Sequence, residues 1–189
     1  MRFNATRWTA LTMVGLAGGI AAGASIGAFA TALIPLTIGG ILGIFQAAGL
    51  RRVLARPWLW IAATIAGAGI GLALGVIVVE EAGALIAGTA PRVAQLSAAM
   101  RAVSFLVIGL IAGGILGAAQ SVVLHAERAS VRRWILVCAA ALAAAFCLAS
   151  LLVDAAGVQY ASALGRLTFL ALSGATFGAL TGLPLRRLA

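Results

Sequence analysis

One phrase occurs twice in this chain and constrains its fold more than any other feature. It reads Gly-Gly-Ile-Leu-Gly at 39–43 and again at 113–117, and a glutamine follows each copy, Gln46 and Gln120. The two glutamines are 74 positions apart. A looser version at 174–181 keeps the two glycines and ends in a threonine. The repeat predicts a chain built from similar units.

Long apolar segments identify the class of protein. Hydrophobic residues make up 63% of the 189 residues and charged residues only 9%, with a mean hydropathy of +1.17. In soluble proteins roughly half of the residues are apolar. The apolar runs recur at about 20 residues, the length that an α-helix needs to cross a bilayer. We therefore predict an all-α polytopic membrane protein.

Six apolar segments predict six transmembrane helices. We expect the third helix to end at Glu80 and Glu81, and a separate interfacial helix to begin near Pro91 and lead into the fourth. The six predicted helices cover, approximately, residues 8–30, 33–50, 58–79, 102–124, 134–153 and 165–183.

The arginines predict how the chain is oriented. All thirteen basic residues are arginine, which excludes Schiff-base chemistry on lysine. They lie in short links between apolar segments, so the net charge of +9 does not indicate nucleic-acid binding. By the positive-inside rule, both termini are predicted to be cytoplasmic and the protein to be multi-pass in an inner membrane. The side assigned to the cytoplasm holds Arg2, Arg7, Arg51, Arg52, Arg56, Arg128, Arg132, Arg133, Arg186 and Arg187.

The helices are predicted to pair into three hairpins within a single transmembrane domain, 1–189. Each hairpin opens on a tryptophan behind basic residues, Trp8, Trp58 or Trp134, and closes on the glycine phrase and arginines. Three parallel two-helix repeats predict a pseudo-threefold bundle about an axis normal to the membrane. The predicted repeats are about 8–50, 58–124 and 134–185.

Glycines four residues apart remove side chains from one stripe of a helix. Another backbone can then approach closely, which holds helices together in lipid. Tight helix packing is the favoured interpretation, and a smooth groove for a carotenoid, chlorin, quinone or lipid tail is the alternative. The glycines concerned are Gly39, Gly43, Gly113, Gly117, Gly174 and Gly178.

Gln46, Gln120 and Thr181 are predicted to form a polar ring inside the membrane, at one level of the three hairpins. An unpaired amide in hydrocarbon is costly, so each should bond a neighbouring helix or face a polar cavity. We favour interhelical hydrogen bonds, and the alternative is a ring that lines a solute path.

Charged residues at the outer side predict two ion pairs, one within each of two hairpins. Glu80 or Glu81 would pair with Arg101, and Asp154 would pair with Arg166. The same residues could also bind a carboxylate or zwitterionic ligand.

The chain is poorly equipped for catalysis. No nucleophile has a plausible base beside it, and no His/Cys/carboxylate cluster predicts a metal site. Cys138 and Cys147 are about 13 Å apart along one helix, beyond disulfide reach. His125, the only histidine, could serve as axial ligand of a haem or chlorin. The sequence requires no cofactor.

The phrase Gly-x-x-x-Gly-x-x-Gln, followed by arginines and a tryptophan, resembles a loose group of uncharacterised small polytopic bacterial membrane proteins. The match covers 39–60 and 113–134, with a fainter echo at 174–187. Ala47 and Ser121 stand where many of those proteins carry a tryptophan. The resemblance implies bacterial repeated hairpins and no known activity.

Size and topology are also similar to the substrate-binding S components of energy-coupling-factor transporters. That likeness implies docking through small-residue faces, such as the one with Ala21 and Ser25. No vitamin-binding signature is visible. The proline-acid-x-x-basic signature of mitochondrial carriers, which also have three two-helix repeats, is absent.

Three functions are therefore weighed. The leading one is a non-enzymatic integral membrane subunit that packs against helices of other membrane subunits. The second is a small solute-binding or transport protein, and the third is a pigment- or haem-binding subunit. A transporter should have a water-accessible cavity that reaches the glutamines, whereas a scaffold should have them bonded between helices.

Overall fold

A computed structural model describes residues 4–24, 34–51, 54–87, 96–124, 128–159 and 162–188. This part of the chain is all-α, as predicted, and forms six helices. They are α1 (Ala5–Ala24), α2 (Ile34–Leu50), α3 (Pro57–Ala87), α4 (Ala98–Leu124), α5 (Arg128–Ala155) and α6 (Ala163–Leu188).

Three of these helices are long and apolar enough to cross a membrane. The spans are Pro57–Leu85, Ala98–Leu124 and Val131–Ala155. A shorter apolar helix covers Ile34–Leu50. These helices agree with the prediction of a membrane protein.

Two helix boundaries differ from the predictions by six residues or more. α3 does not end at Glu80 and Glu81 but continues to Ala87. Both glutamates are exposed and glutamate is a good helix former, so a charge can end an apolar segment without ending the helix. α5 begins at Arg128, more than a turn before Trp134. The predicted end of the first helix at residue 30 and the interfacial helix near Pro91 lie outside the described residues.

The six helices form a closed ring. Each helix packs against its neighbours in the chain, and α6 packs back against α1. Among the described residues these are the only extensive helix–helix interfaces. Leu42, Leu116, Leu142 and Phe177 fill the middle of the ring, where a cavity of about 20 Å³ remains. Among the described residues, the middle of the ring is therefore a packed apolar core.

Glycines set the interfaces between successive hairpins, α2–α3, α4–α5 and α6–α1. At each one, a methyl group added to the first glycine of the phrase would meet backbone of the facing helix. At every interface, the facing residue follows a buried tryptophan of its own helix by the same number of positions. The added carbon would lie 2.8 Å from Ile65 Cα at Gly39, 2.9 Å from Ala139 Cα at Gly113 and 2.8 Å from Met13 Cα at Gly174.

The second glycine of each phrase repeats this arrangement one turn later. The added carbon would approach Ile61 Cα at 3.1 Å from Gly43, Ile135 Cα at 3.0 Å from Gly117 and Thr9 Cα at 2.9 Å from Gly178. Three hairpin-to-hairpin interfaces are therefore equivalent in geometry. The third remains equivalent although its sequence has diverged.

Candidate functional site

Three tryptophans meet inside one end of the ring, which we call the tryptophan end. Trp8, Trp60 and Trp134 come from α1, α3 and α5, and all three are buried. The ring centroids of Trp8 and Trp60 are 6.4 Å apart, and those of Trp60 and Trp134 are 6.3 Å apart. Edge-on and tilted contacts at this distance are favourable between aromatic rings.

The second hairpin carries two tryptophans near its start, and only one of them lies inside the ring. Trp58, which was predicted to open this hairpin, lies at the start of α3 and is 62% exposed on the outside of the ring. Trp60 occupies the inner position equivalent to Trp8 and Trp134. Residues two apart in a helix point in different directions, so only one of the two can face the ring interior.

Two of the indoles bind across a hairpin-to-hairpin interface. The Trp8 Nε1–H donates to Thr181 Oγ1 at 3.0 Å, and the Trp60 Nε1–H donates to Gln46 Oε1 at 3.3 Å. In both cases the indole of one hairpin reaches the second helix of the hairpin before it around the ring. The sequence predicted the acceptors but not these donors.

The third interface breaks this pattern. Gln120 Nε2 donates to Gln46 Oε1 and to Thr64 Oγ1, both at 3.1 Å. The Trp134 Nε1–H has no acceptor among the described residues. Gln120 therefore bonds to Gln46 of the first hairpin and to Thr64 of its own hairpin. The Trp134 indole, the counterpart of Trp8 and Trp60 at this interface, is left unpaired among the described residues.

We call Thr12, Gln46, Thr64, Gln120 and Thr181 the polar belt. Gln46 and Gln120 are each 1% exposed, and the three threonines are fully buried. Within the described chain, Gln46 Nε2 and Thr12 Oγ1 lack partners. An unsatisfied buried group costs about 1–3 kcal/mol. The polar belt therefore forms hydrogen bonds between hairpins, while some of its buried polar atoms have no partner among the described residues.

Neither of the two described cavities reaches the polar belt. The cavity inside the ring is lined only by apolar side chains. A larger apolar groove lies between the far end of α3 and the start of α4, where Val79, Met100 and Val103 line it. Within the described residues, the polar belt forms hydrogen bonds between helices.

An ion pair lies at the opposite end of the ring, but not within one hairpin. Arg101 Nη2 is 2.9 Å from Asp154 Oδ1, and Arg101 Nε donates to Asp154 Oδ2 at 3.2 Å. The two side chains are 13% and 18% exposed.

The predicted pairing within hairpins is therefore wrong. α4 and α5 run antiparallel in close contact, which places the start of α4 beside the end of α5. Arg101 thus meets Asp154 across the hairpin boundary. Glu81 and Arg166 are exposed and form no ion pair within 4.0 Å in the described part of the chain.

Three phenylalanines fill the ring interior toward this opposite end. The centroid of Phe105 is 4.6 Å from that of Phe169 and 6.3 Å from that of Phe146, and Phe146 and Phe169 are 5.5 Å apart. The sequence analysis did not identify this cluster, because its members come from α4, α5 and α6 without a repeated spacing.

The remaining candidate ligands give no composite site. His125 lies outside the described residues. Cys138 and Cys147 are free thiols, as their spacing predicted. Within the described ranges, no group of three or more His, Cys, Asp or Glu could hold a metal ion.

No family model matches this chain, and neither a curated protein nor a solved structure matches it.

Proposed function

We propose that this protein is a non-enzymatic integral membrane subunit that packs against partner helices in a larger membrane complex. One observation carries the proposal. The polar belt, the obvious place for chemistry inside the ring, is engaged in hydrogen bonds between the protein's own helices. A solute path would instead need polar groups that face a cavity.

The outward surface supports a membrane setting for the whole ring. Each helix carries exposed large apolar side chains, for which lipid is the matching solvent. We propose that all six helices cross a bacterial inner membrane as three hairpins, with both termini in the cytoplasm. Examples of such side chains, one from each helix, are Val14, Ile44, Ile70, Leu110, Leu136 and Leu180.

The outward face of the α4–α5 interface suits a partner helix because small residues lie on both of its helices. The first and last glycines of each phrase face the ring's own interfaces, so they are not available to a partner. Gly114 and Ala118 of α4, with Ala140 and Ala144 of α5, leave small residues on the outside of the α4–α5 interface. A methyl group added to Gly114 would meet only Ala139 Cβ, at 3.9 Å. Small residues permit the close approach on which helix association in lipid depends.

The experiment is purification of the tagged protein in mild detergent from its native membrane, with mass spectrometry of the main peak. We expect other membrane subunits in fixed ratio. The double variant Ala140→Leu/Ala144→Leu should lose them. The matched control Ala62→Leu/Ala66→Leu places the same side chains on the exposed face of α3 and should keep them.

Two results would contradict the proposal. One is a wild-type peak that contains this chain alone. The other is equal loss of partners in both double variants, with unfolding temperatures equal to the wild type. An absorption spectrum of the same peak tests the pigment- or haem-binding alternative.

A second candidate function is a small solute-binding or transport protein. The observation in its favour is the pair of unpaired donors, Gln46 Nε2 and Trp134 Nε1. A solute with a carbonyl or carboxylate acceptor could satisfy them after the ring opens. A solute screen by thermal shift tests this candidate, because a true ligand must lose its effect in Gln46→Leu.

A further inference from the structure

Exposed arginines collect at the tryptophan end, and we call the five whose side chains the structure describes the arginine collar. No carboxylate accompanies them among the described residues of this end. The described acidic residues, Glu80, Glu81 and Asp154, lie near the opposite ends of α3 and α5. The members of the collar are Arg7, Arg51, Arg56, Arg132 and Arg133.

The indole cluster brings members of the collar together. Arg7 directly precedes Trp8, and Arg133 directly precedes Trp134. Arg56 lies one turn before Trp60. Because the three indoles lie within 6.4 Å of their neighbours, the backbones that carry these arginines converge on one end of the ring.

The collar lies where the apolar outer surface ends. Trp58 follows Arg56 closely and is 62% exposed, and Leu136 follows Arg133 closely and is 59% exposed. Exposed tryptophan at the edge of an apolar belt is typical of the membrane interface. The arginines therefore lie at the depth of the lipid headgroups, where an arginine guanidinium can bind phosphate with two hydrogen bonds.

We infer that the tryptophan end is a binding surface for the phosphate of anionic phospholipid headgroups. Among the described residues, no carboxylate lies within 4.0 Å of the collar arginines. The apolar side chains beside them hold the acyl chains. A zwitterionic lipid binds more weakly, because the cationic group of its own headgroup competes with the arginines for the phosphate.

Native mass spectrometry tests this inference on the full-length protein in micelles with equal phosphatidylglycerol and phosphatidylcholine. The wild type should retain phosphatidylglycerol preferentially. Each arginine near the surface contributes about fivefold, so Arg132→Gln/Arg133→Gln should lower the preference roughly 25-fold. Arg51→Gln/Arg56→Gln should do the same independently. High salt should reduce the preference, since exposed charges are screened.

Arg166→Gln is the matched control, because Arg166 is exposed at the opposite end of the ring. It should keep the full lipid preference. Equal retention of both lipids by the wild type would overturn the inference. A loss of lipid preference in Arg166→Gln as large as that in the collar variants would also overturn it. Full competition by millimolar inorganic phosphate would also overturn it, since the site would then bind a soluble anion. The inference would also be overturned if the wild type bound an acidic protein and showed no preference between the two lipids.

Discussion

The two ends of the ring are closed in different ways. At the tryptophan end, each hairpin contributes one buried indole, and Gln46, Gln120 and Thr181 of the polar belt stand at equivalent positions of the three hairpins. At the opposite end, the phenylalanine cluster and the Arg101–Asp154 ion pair come from α4, α5 and α6, with no counterpart in the repeated phrase. The repeat therefore specifies one end of the fold, and contacts particular to single hairpins complete the other.

The glycine interfaces should give the largest effect. Gly113→Ala places its methyl group against Cys138 and Ala139 backbone, and overpacking of this kind costs about 1–3 kcal/mol. Gly39→Ala and Gly174→Ala should cost similar amounts, because their interfaces are equivalent. Gly114→Ala, the adjacent control, meets one atom at 3.9 Å and should leave stability unchanged. Thermal or denaturant unfolding in detergent measures all four variants.

The comparison fails if Gly174→Ala is harmless while Gly39→Ala and Gly113→Ala are not. Such a result would mean that α6 does not close on α1 as the other hairpins close on their neighbours.

At the opposite end, Arg101→Met should lower the free energy of unfolding by about 1.5 kcal/mol, the lower end for charged hydrogen bonds because the pair is partly exposed. Asp154→Asn should cost less, and a double-mutant cycle should return a coupling between the two. Arg166→Met, exposed and unpaired within the described residues, should stay within about 0.5 kcal/mol of wild type. Coupling of Arg101 to Glu81 in place of Asp154 would refute the pairing across hairpins.

In the polar belt, Gln46→Leu removes the acceptor of both Trp60 and Gln120. Hydrogen bonds between membrane helices average about 0.6 kcal/mol each, so the variant should lose about 1 kcal/mol of stability. Gln46→Glu keeps an acceptor oxygen and removes only the amide nitrogen, so unfolding of this variant beside Gln46→Leu separates loss of the acceptor from loss of the amide. An increase in stability for Gln46→Leu would show that the belt is not structural.

The smallest expected difference concerns the hydrogen bonds of the three indoles. Trp60→Phe and Trp8→Phe each lose one hydrogen bond, about 0.6 kcal/mol beyond the change in packing. Trp134→Phe removes an N–H that has no acceptor in the described chain, so it should cost less than either. Equal losses in all three would indicate that Gln120 also accepts from Trp134 in the membrane.

Particular residues show how far the sequence alone could lead. The repeated spacing of Gly39, Gly113 and Gly174 identifies the interface glycines, since close approach needs the same residue type at each one. Gln46 and Gln120 stand out because amides are rare in apolar segments. Trp60 could not be preferred over Trp58, because the phase of α3 against its neighbours decides which indole turns inward.

The ion pair also required the structure. Arg101 is close in sequence to Glu81, but α4 lies against α5, and the distance in space decides the partner. The Trp134 N–H lacks an acceptor among the described residues because of the orientation of the Gln120 side-chain amide, and the spacing of residues in the sequence does not determine that orientation.

The central claim is that α6 closes the ring on α1, and a disulfide tests it most directly. A carbon added to Gly182 would lie 3.6 Å from Ala5 Cβ, within the range for disulfide formation. In a background without Cys138 and Cys147, we expect Ala5→Cys/Gly182→Cys to cross-link on mild oxidation in the membrane, detected as one linked peptide by mass spectrometry. The pair Gly114→Cys/Ala139→Cys, at 3.9 Å across α4–α5, is the positive control. If the control cross-links and the pair at 5 and 182 does not, the ring is open and the account is wrong.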